Sequence, residues 1–162
     1  MKSILTAILL MGTYTFTSAQ CMVEPWSLQK RVDKSSDIVE ARVISQEGRW
    51  DAQEHSIYTI HTLEVFKVFK GTVGIQTIKL VTEGGIVGSE MLKVSPCLEL
   101  AVGETGIFLL EENRVDLNSA GKMYKPSSSI QSFIQYDLVS VDAYDIQKTY
   151  TSISFDLYQD LA

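Results

Sequence analysis

The sequence is poor in the side chains on which most enzymes and metal sites depend. Its 162 residues include two histidines, two cysteines and three prolines. His55 lies in a polar stretch and His61 in an apolar one, and neither has a second metal ligand at a useful spacing. No His-Glu-x-x-His and no Gly-x-Ser-x-Gly motif is present. We therefore predict a chain without catalytic residues, metal or cofactor.

Positive charge is also scarce. Asp and Glu outnumber Lys and Arg by 20 to 14, which gives a formal net charge of −6, and the basic residues form no cluster. A net acidic surface repels phosphate backbones. We predict no nucleic-acid partner.

Long apolar runs are missing except at the N-terminus. The N-terminus has a basic residue near its start, followed by a largely apolar run over residues 4–11 and a segment rich in small residues over residues 12–20. This order is typical of a cleaved signal peptide, residues 1–19, with cleavage between Ala19 and Gln20. The run is too short to span about 30 Å of hydrocarbon, which disfavours a membrane anchor. Gln20, which is not a small residue, disfavours lipidation of Cys21. We predict a secreted or cell-surface protein with no stable membrane span.

The rest of the chain has the length of one domain, and its residue pattern is typical of a mostly β fold. The longest β pattern, residues 57–69, has no wholly polar face, which is typical of a strand that bends around a barrel. We predict a small five- to six-stranded OB-like barrel over residues 20–140. The expected elements are a short helix or turn at 26–36, strands at 38–45, 57–69, 75–82 and 104–110, an interrupted strand at 91–100, and a polar loop at 46–56.

The C-terminal residues 141–162 carry a helical pattern. Apolar residues recur at steps of three and four, and no capping residue follows Ala162. We predict a C-terminal helical segment that is truncated here, as in the front part of a longer protein. The residues of the stripe are Ile146, Tyr150, Ile153, Leu157 and Leu161.

Two sets of residues are candidates for special roles. Export places Cys21 and Cys97 where disulfides persist, and a bridge closing this loop would stabilise the fold by about 4 kcal/mol. The residues alone leave a bridge and two free thiols equally open. A nucleophilic Cys97 is less favoured. The aromatic residues Trp50, Tyr136 and Tyr144 are candidates for a contact surface, with core packing as the alternative.

The order of these segments resembles a known family. Cys21, the strand Ser36–Val43, the long strand Ile57–Gly71 and the run Cys97–Phe108 resemble the netrin-like domain of tissue inhibitors of metalloproteinases. The resemblance implies an OB-type barrel and a Cys21–Cys97 bridge. Protease inhibition in that family needs a free amine on an N-terminal cysteine, whereas here Gln20 is expected to precede Cys21.

A second resemblance is to the N-terminal domain of exported Bacteroidetes proteins of the type IX secretion system. Arg49–Asp51, Ile57–Gly71 and Gly84–Gly88 carry it. It implies a secreted or cell-surface, non-catalytic binding or accessory domain, with an extracellular protein such as a protease, or a glycan, as partner. The alternatives are a metalloprotease inhibitor and the N-terminal fragment of an exported metalloprotease or adhesin.

Overall fold

The computed structural model describes residues 23–74, 77–119, 121–151 and 155–161. This part of the chain is mostly β, as predicted, with two short helices. The helices are α1 (Leu28–Lys34) and α2 (Phe155–Asp160), and a 3-10 turn covers Ser129–Ser132. The strands are β1 (Asp37–Trp50), β2 (Ile57–Lys70), β3 (Thr77–Glu83), β4 (Gly85–Val87), β5 (Glu90–Leu92), β6 (Thr105–Glu112), β7 (Met123–Pro126), β8 (Phe133–Asp137), β9 (Asp142–Tyr144) and β10 (Thr149–Tyr150).

Two of the sequence predictions fall outside the described residues. These are the signal peptide with its cleavage site at Ala19 and Gln20, and the first partner of the predicted bridge, Cys21. Neither helix in the described ranges is long and apolar enough to cross a membrane.

Five strands form a ring of paired neighbours in the order β1–β2–β3–β7–β6, and β6 pairs back to β1. The β3–β7 pairing is parallel, and the other pairings in the ring are antiparallel. Alternate residues of these strands point inward and form the inner core. Its largest fully buried side chains are Leu63, Leu80, Phe108 and Leu110.

The remaining strands of the main sheet extend away from the ring. β7 lies beside Leu110–Glu112 and β8 beside Gly106–Phe108, so both occupy the same edge of β6. β9 and β10 then continue outward from β8. An outer core fills the space between this extension, α1 and α2. Its fully buried members include Ile107, Ile134 and Leu157.

A buried ion pair joins α1 to the extension. Arg31 Nη1 donates to Asp145 Oδ1 over 2.7 Å and to the Gln131 carbonyl oxygen over 2.8 Å, and Nη2 donates to Asp145 Oδ2. The Arg31 side chain has no solvent exposure, and the Asp145 side chain is 3% exposed. α1 itself begins where Ser27 Oγ accepts from the Lys30 N–H, which agrees with the helix predicted for residues 26–36.

The helix predicted for residues 141–162 is wrong in its first part. β9 and β10 form a hairpin there, closed by a hydrogen bond from the Asp145 N–H to the Lys148 carbonyl oxygen. Among the described residues of this range only Phe155–Asp160 are helical, and Ile153 of the predicted stripe lies outside the described residues. Ala143 and Tyr150 pair across the hairpin and both are buried in the outer core. A strand pair followed by a helix thus produced the apparent helical spacing. Ile146 is 48% exposed and lies off any buried stripe.

Two further expectations need correction. The main sheet of the described residues has eight strands, of which five form the ring, so it extends beyond the five- to six-stranded barrel that was predicted. The loop expected from residue 46 begins only after Trp50, because Gln46–Trp50 continue the ladder with β2. Beyond the reach of β6 much of β1 meets solvent, so most of these strand residues are polar and resemble a loop.

Candidate binding site at the open end of the ring

The ring is open at one end because its strands differ in length. β6 begins at Thr105, which pairs with Arg42, whereas β1 continues for eight more residues to Trp50. β2 and the end of β3 accompany this projecting part of β1. No strand in the described chain pairs with its other edge. The interior of the ring is therefore accessible from this side.

The β4–β5 hairpin folds over the opening. Gly48 allows this, since a Cβ atom there would lie 1.9 Å from the Ile86 carbonyl oxygen. Gly85 has φ of 147° and would place a Cβ atom 2.4 Å from Thr59 Oγ1. Thr59 Oγ1 also donates to the Gly84 carbonyl oxygen over 2.8 Å. The hairpin thus rests directly on the backbone of β1 at Gly48 and on the Thr59 side chain of β2.

Between the hairpin and the ring lies a cavity of about 440 Å³, which we call the mouth cavity. The irregular segment between β5 and β6 completes its wall. Its volume falls in the range of small-ligand sites, roughly 300–1,000 Å³. Its lining residues are Gln46, Gly48, Thr59, His61, Thr82, Glu83, Gly84, Gly85, Ile86, Met91, Leu92, Lys93, Val94, Cys97, Leu98, Glu99 and Leu100.

His61 and Thr82 are the buried polar residues among those that line the mouth cavity. His61 is 2% exposed, and its Nε2 lies 3.0 Å from Thr82 Oγ1. Its Nδ1 has no hydrogen-bond partner. Burial lowers the pKa of His61 to about 4, so the imidazole is neutral at ordinary pH. A neutral imidazole with one unused nitrogen can accept or donate a hydrogen bond, depending on its tautomer.

Cys97 lies in the wall of the same cavity as a half-buried free thiol. Its Sγ donates to the Glu83 carbonyl oxygen over 3.2 Å. Burial is the main cause that raises the pKa of this thiol, so the thiol is protonated. Cys21, the predicted bridge partner of Cys97, lies outside the described residues.

The charges of the mouth cavity lie at its rim. Lys93 and Glu99 pair over 3.3 Å with both side chains largely exposed, and such a pair contributes little to stability. Glu83 is a further exposed carboxylate. The deep part of the cavity is formed by neutral groups, with Leu98 and Leu100 both buried.

A second cavity, of about 670 Å³, lies where β1, β6 and the start of β7 meet. Lys34, Arg114 and Lys125 face Asp37 and the β6 carboxylates there, and Lys125 Nζ lies 3.2 Å from a Glu111 carboxylate oxygen. The two signs of charge are mixed, so the cavity selects no single charge of ligand.

The predicted aromatic contact surface does not form. Tyr136 faces the outer core and is 7% exposed, because it follows Ile134 on the inward side of β8, so its assignment to a surface is wrong. Tyr144 is 45% exposed on β9. Trp50 is half-buried at the far end of β1. Ala41 is level with Tyr144 across the sheet, which puts Trp50 about 30 Å further along the strand.

The two histidines lie in different environments. The His55 N–H donates to Asp51 Oδ1 in an exposed turn. His61 is buried instead, and its sequence neighbours indicated no specific partner for it. No group of three His, Cys, Asp or Glu residues in the described ranges could hold a metal ion.

Comparison with known proteins does not assign the chain to a family. No protein-family model matches the chain, and no curated protein or solved structure is significantly similar to it.

Proposed function

We propose that the chain is a secreted or cell-surface binding module, without catalysis of its own, that engages its partner at the mouth cavity. The observation that carries this proposal is the cavity itself, with a neutral, buried His61 whose Nδ1 has no partner. Buried polar groups are nearly always hydrogen-bonded, and an exception needs an explanation such as a bound water or ligand.

An OB-type, netrin-like barrel is the proposed scaffold. The ring order β1–β2–β3–β7–β6 supports it, since the parallel β3–β7 contact is the kind of non-sequential pairing that a Greek-key barrel requires. OB-type barrels commonly bind ligands on the outer face of their second and third strands. Here that face is covered by Leu117 and Met123, which pack on Ile60 and Val81. This leaves the end of the barrel as the open site.

Rim residues favour a protein as the partner over a glycan. Ile86 is 61% exposed and Met91 is 72% exposed, side by side on the β4–β5 hairpin. Flexible, polarizable methionine is common on protein-binding surfaces, and a pocket beside exposed apolar residues is typical of an interaction hot spot. A glycan would leave these side chains without apolar contact.

The absence of catalysis is part of the proposal. A cysteine nucleophile needs a lowered thiol pKa and a histidine base. Burial raises the pKa of Cys97, and its Sγ donates to a backbone carbonyl oxygen rather than to His61. Both features weigh against a Cys–His catalytic pair.

The bridge between Cys21 and Cys97 is also proposed. Ser129 Oγ donates to the Pro96 carbonyl oxygen, and Gln131 Nε2, two residues further on, donates to the Glu24 carbonyl oxygen. The chain just after Cys21 is thus tied to the element that holds the neighbour of Cys97. Non-reducing peptide mapping of the exported protein should recover the two cysteines in one linked peptide. Two free thiols would refute the bridge.

Surface plasmon resonance against extracellular metalloproteases and glycans tests the proposed function. We expect the exported protein to bind a protease, and Met91→Asp at the cavity rim to weaken binding about ten-fold or more. Val139→Asp is the matched control, because Val139 is 95% exposed on the β8–β9 turn, outside the cavity. Equal losses in the two variants would place the site elsewhere, and binding to no protease or glycan would contradict the proposal.

A further inference from the structure

The β4–β5 hairpin covers the mouth cavity without joining a hydrophobic core. None of the three apolar clusters found in the described ranges includes a residue of the hairpin. Its apolar side chains are exposed instead, Ile86 by 61%, Met91 by 72% and Leu92 by 36%. Burial of apolar surface is the main force that fixes an element in place, and a two-stranded hairpin by itself is only marginally stable. The hairpin therefore depends on local contacts with the ring.

These contacts lie at the first strand of the hairpin. The Ile86 carbonyl oxygen lies so close to Gly48 of β1 that a Cβ atom there would be 1.9 Å away. Just before the hairpin, the Gly84 N–H donates to the Ile57 carbonyl oxygen over 2.9 Å, and the Gly84 carbonyl oxygen accepts from Thr59 Oγ1 over 2.8 Å. The ring thus fixes the chain at Gly84, and beyond this residue it meets the hairpin backbone by close packing.

Both connections of the hairpin have a fixed point outside it. Gly84 and Gly85 form the first connection, with φ of 88° and 147°, angles that side chains rarely allow. After the second connection, the Pro96 carbonyl oxygen accepts from Ser129 Oγ over 2.9 Å, and Leu98 is buried in the inner core. The chain between these fixed points can turn as a unit, because a few loop residues are enough to absorb the backbone rotation of a hinge.

From this arrangement we infer that the β4–β5 hairpin is a lid, which turns about Gly84–Gly85 and uncovers the deep part of the mouth cavity at Leu98 and Leu100. The close fit at Gly48 defines its closed position. The exposed apolar side chains of the lid are the proposed partner contacts, so a partner that binds the two positions unequally shifts the lid between them. This role rests on the proposed function, whereas the motion itself needs no partner.

Relaxation-dispersion NMR of the isotope-labelled protein tests the lid without a partner, since lids open on the microsecond-to-millisecond timescale that it detects. We expect one common exchange process at Ile86 and Met91 in the hairpin and at Gly48 and Thr59 beneath it, with an open state populated at about 1% or more. Leu109 in β6 should show no exchange. Flat dispersion profiles at the hairpin positions would overturn the inference.

Two glycine variants separate opening of the lid from general loosening of the fold. Gly48→Ala places a methyl group where the Ile86 carbonyl oxygen lies, and should raise the open population about ten-fold or more. The soluble paramagnet TEMPOL should then broaden the methyl signals of Leu98 and Leu100 more strongly than in the wild type. Gly74→Ala is the matched control, because a Cβ atom at Gly74 would have no neighbour within 4 Å. Equal broadening in the two variants would contradict a lid.

The lid and the proposed function can fail separately. If Met91→Asp weakens partner binding while the wild-type dispersion profiles are flat, the proposed function stands and the lid inference fails. If the common exchange process is present but no protease or glycan binds, the lid stands and the proposed function fails.

Discussion

The inner and outer cores of this molecule are held together by different interactions. Around the inner core, five strands pair in a ring, and the backbone ladder fixes the position of every wall. The outer core joins α1, α2 and the β8–β10 extension, and no ladder links the helices to the sheet. Polar contacts take that role, chiefly Arg31 with Asp145 and Tyr158 with Glu40.

This difference shows in which part of the molecule the burial of apolar side chains is enough to hold the elements together. Hydrophobic contact is not directional, so it fills the ring, whose geometry is already set by strand pairing. Helices that dock without a ladder gain a defined orientation from hydrogen bonds and ion pairs at chosen points. The inner core has its own polar residues at the open end, where His61 and Thr82 border the mouth cavity.

The largest effect is expected in the outer core. Arg31→Ala leaves Asp145 as a buried carboxylate without its cation, and should lower the free energy of unfolding by about 4 kcal/mol. Urea denaturation followed by circular dichroism measures it. The double variant Arg31→Met with Asp145→Leu removes both charges and should recover most of the loss. A loss below about 1 kcal/mol in Arg31→Ala would show that the ion pair does not hold the outer core.

Removal of a side chain from the inner core should have a slightly smaller effect. Leu63 is fully buried, and Leu63→Ala should destabilise the protein by about 3 kcal/mol through lost burial and a cavity. Phe66 is 41% exposed on the same strand, so Phe66→Ala serves as the control and should change stability by about 0.5 kcal/mol or less. A larger loss in Leu63→Ala than in Arg31→Ala would reverse the comparison of the two cores.

The open end of the inner core should respond to acid. The pKa of His61 is lowered from 6.5 to about 4 in the folded protein. Between these two pH values His61 is therefore protonated in the unfolded chain and mostly neutral in the folded one. The free energy of unfolding should therefore fall as the pH drops from 6.5 to 4, by up to about 3 kcal/mol from this residue. Urea titrations at several pH values should show this slope in the wild type and its absence in His61→Gln. Identical slopes would mean that His61 is not buried in neutral form.

A single hydroxyl contact should have the smallest effect. Tyr158 OH donates to Glu40 Oε2 over 2.8 Å, and its ring packs against Phe69 in a tilted arrangement with centroids 5.1 Å apart. Tyr158→Phe keeps the ring and should cost about 1 kcal/mol in thermal unfolding. Tyr144→Phe, at an exposed position on β9, should have no measurable effect. Equal effects would mean that the Glu40 contact does not orient α2.

Local patterns were sufficient to predict the parts of the fold with strong local signals. The β-branched runs of β1 and β2 and the short helix or turn expected over residues 26–36 agree with the structure. The β4–β5 hairpin was missed, because strands of three residues in a glycine-rich stretch look like a turn. The β9–β10 hairpin was missed for a different reason, since Ile146 in its turn and Tyr150 in β10 happen to match the helical spacing that continues to Leu157 and Leu161.

The candidate site could be predicted only in fragments. His61 and Cys97 were noticed for their chemistry, but nothing local reports that the cavity brings both into one wall. Arg31 and Asp145 gave no signal at all, because residues so far apart in sequence meet only through the tertiary fold. Tyr136 was misassigned, since an aromatic residue between polar neighbours fits either face of a strand.

Closure of the ring also sets how the chain must fold. β1 and β2 are joined by a short turn, so their hairpin can form early at little entropic cost. The β1–β6 pairing instead joins Asp37 to Leu110 and requires the intervening chain to be already in place. Such distant pairings cost loop-closure entropy before the contacts that offset this cost have formed, which makes folding slow. We therefore expect the seam between β1 and β6 to close after the local hairpins of the ring have formed.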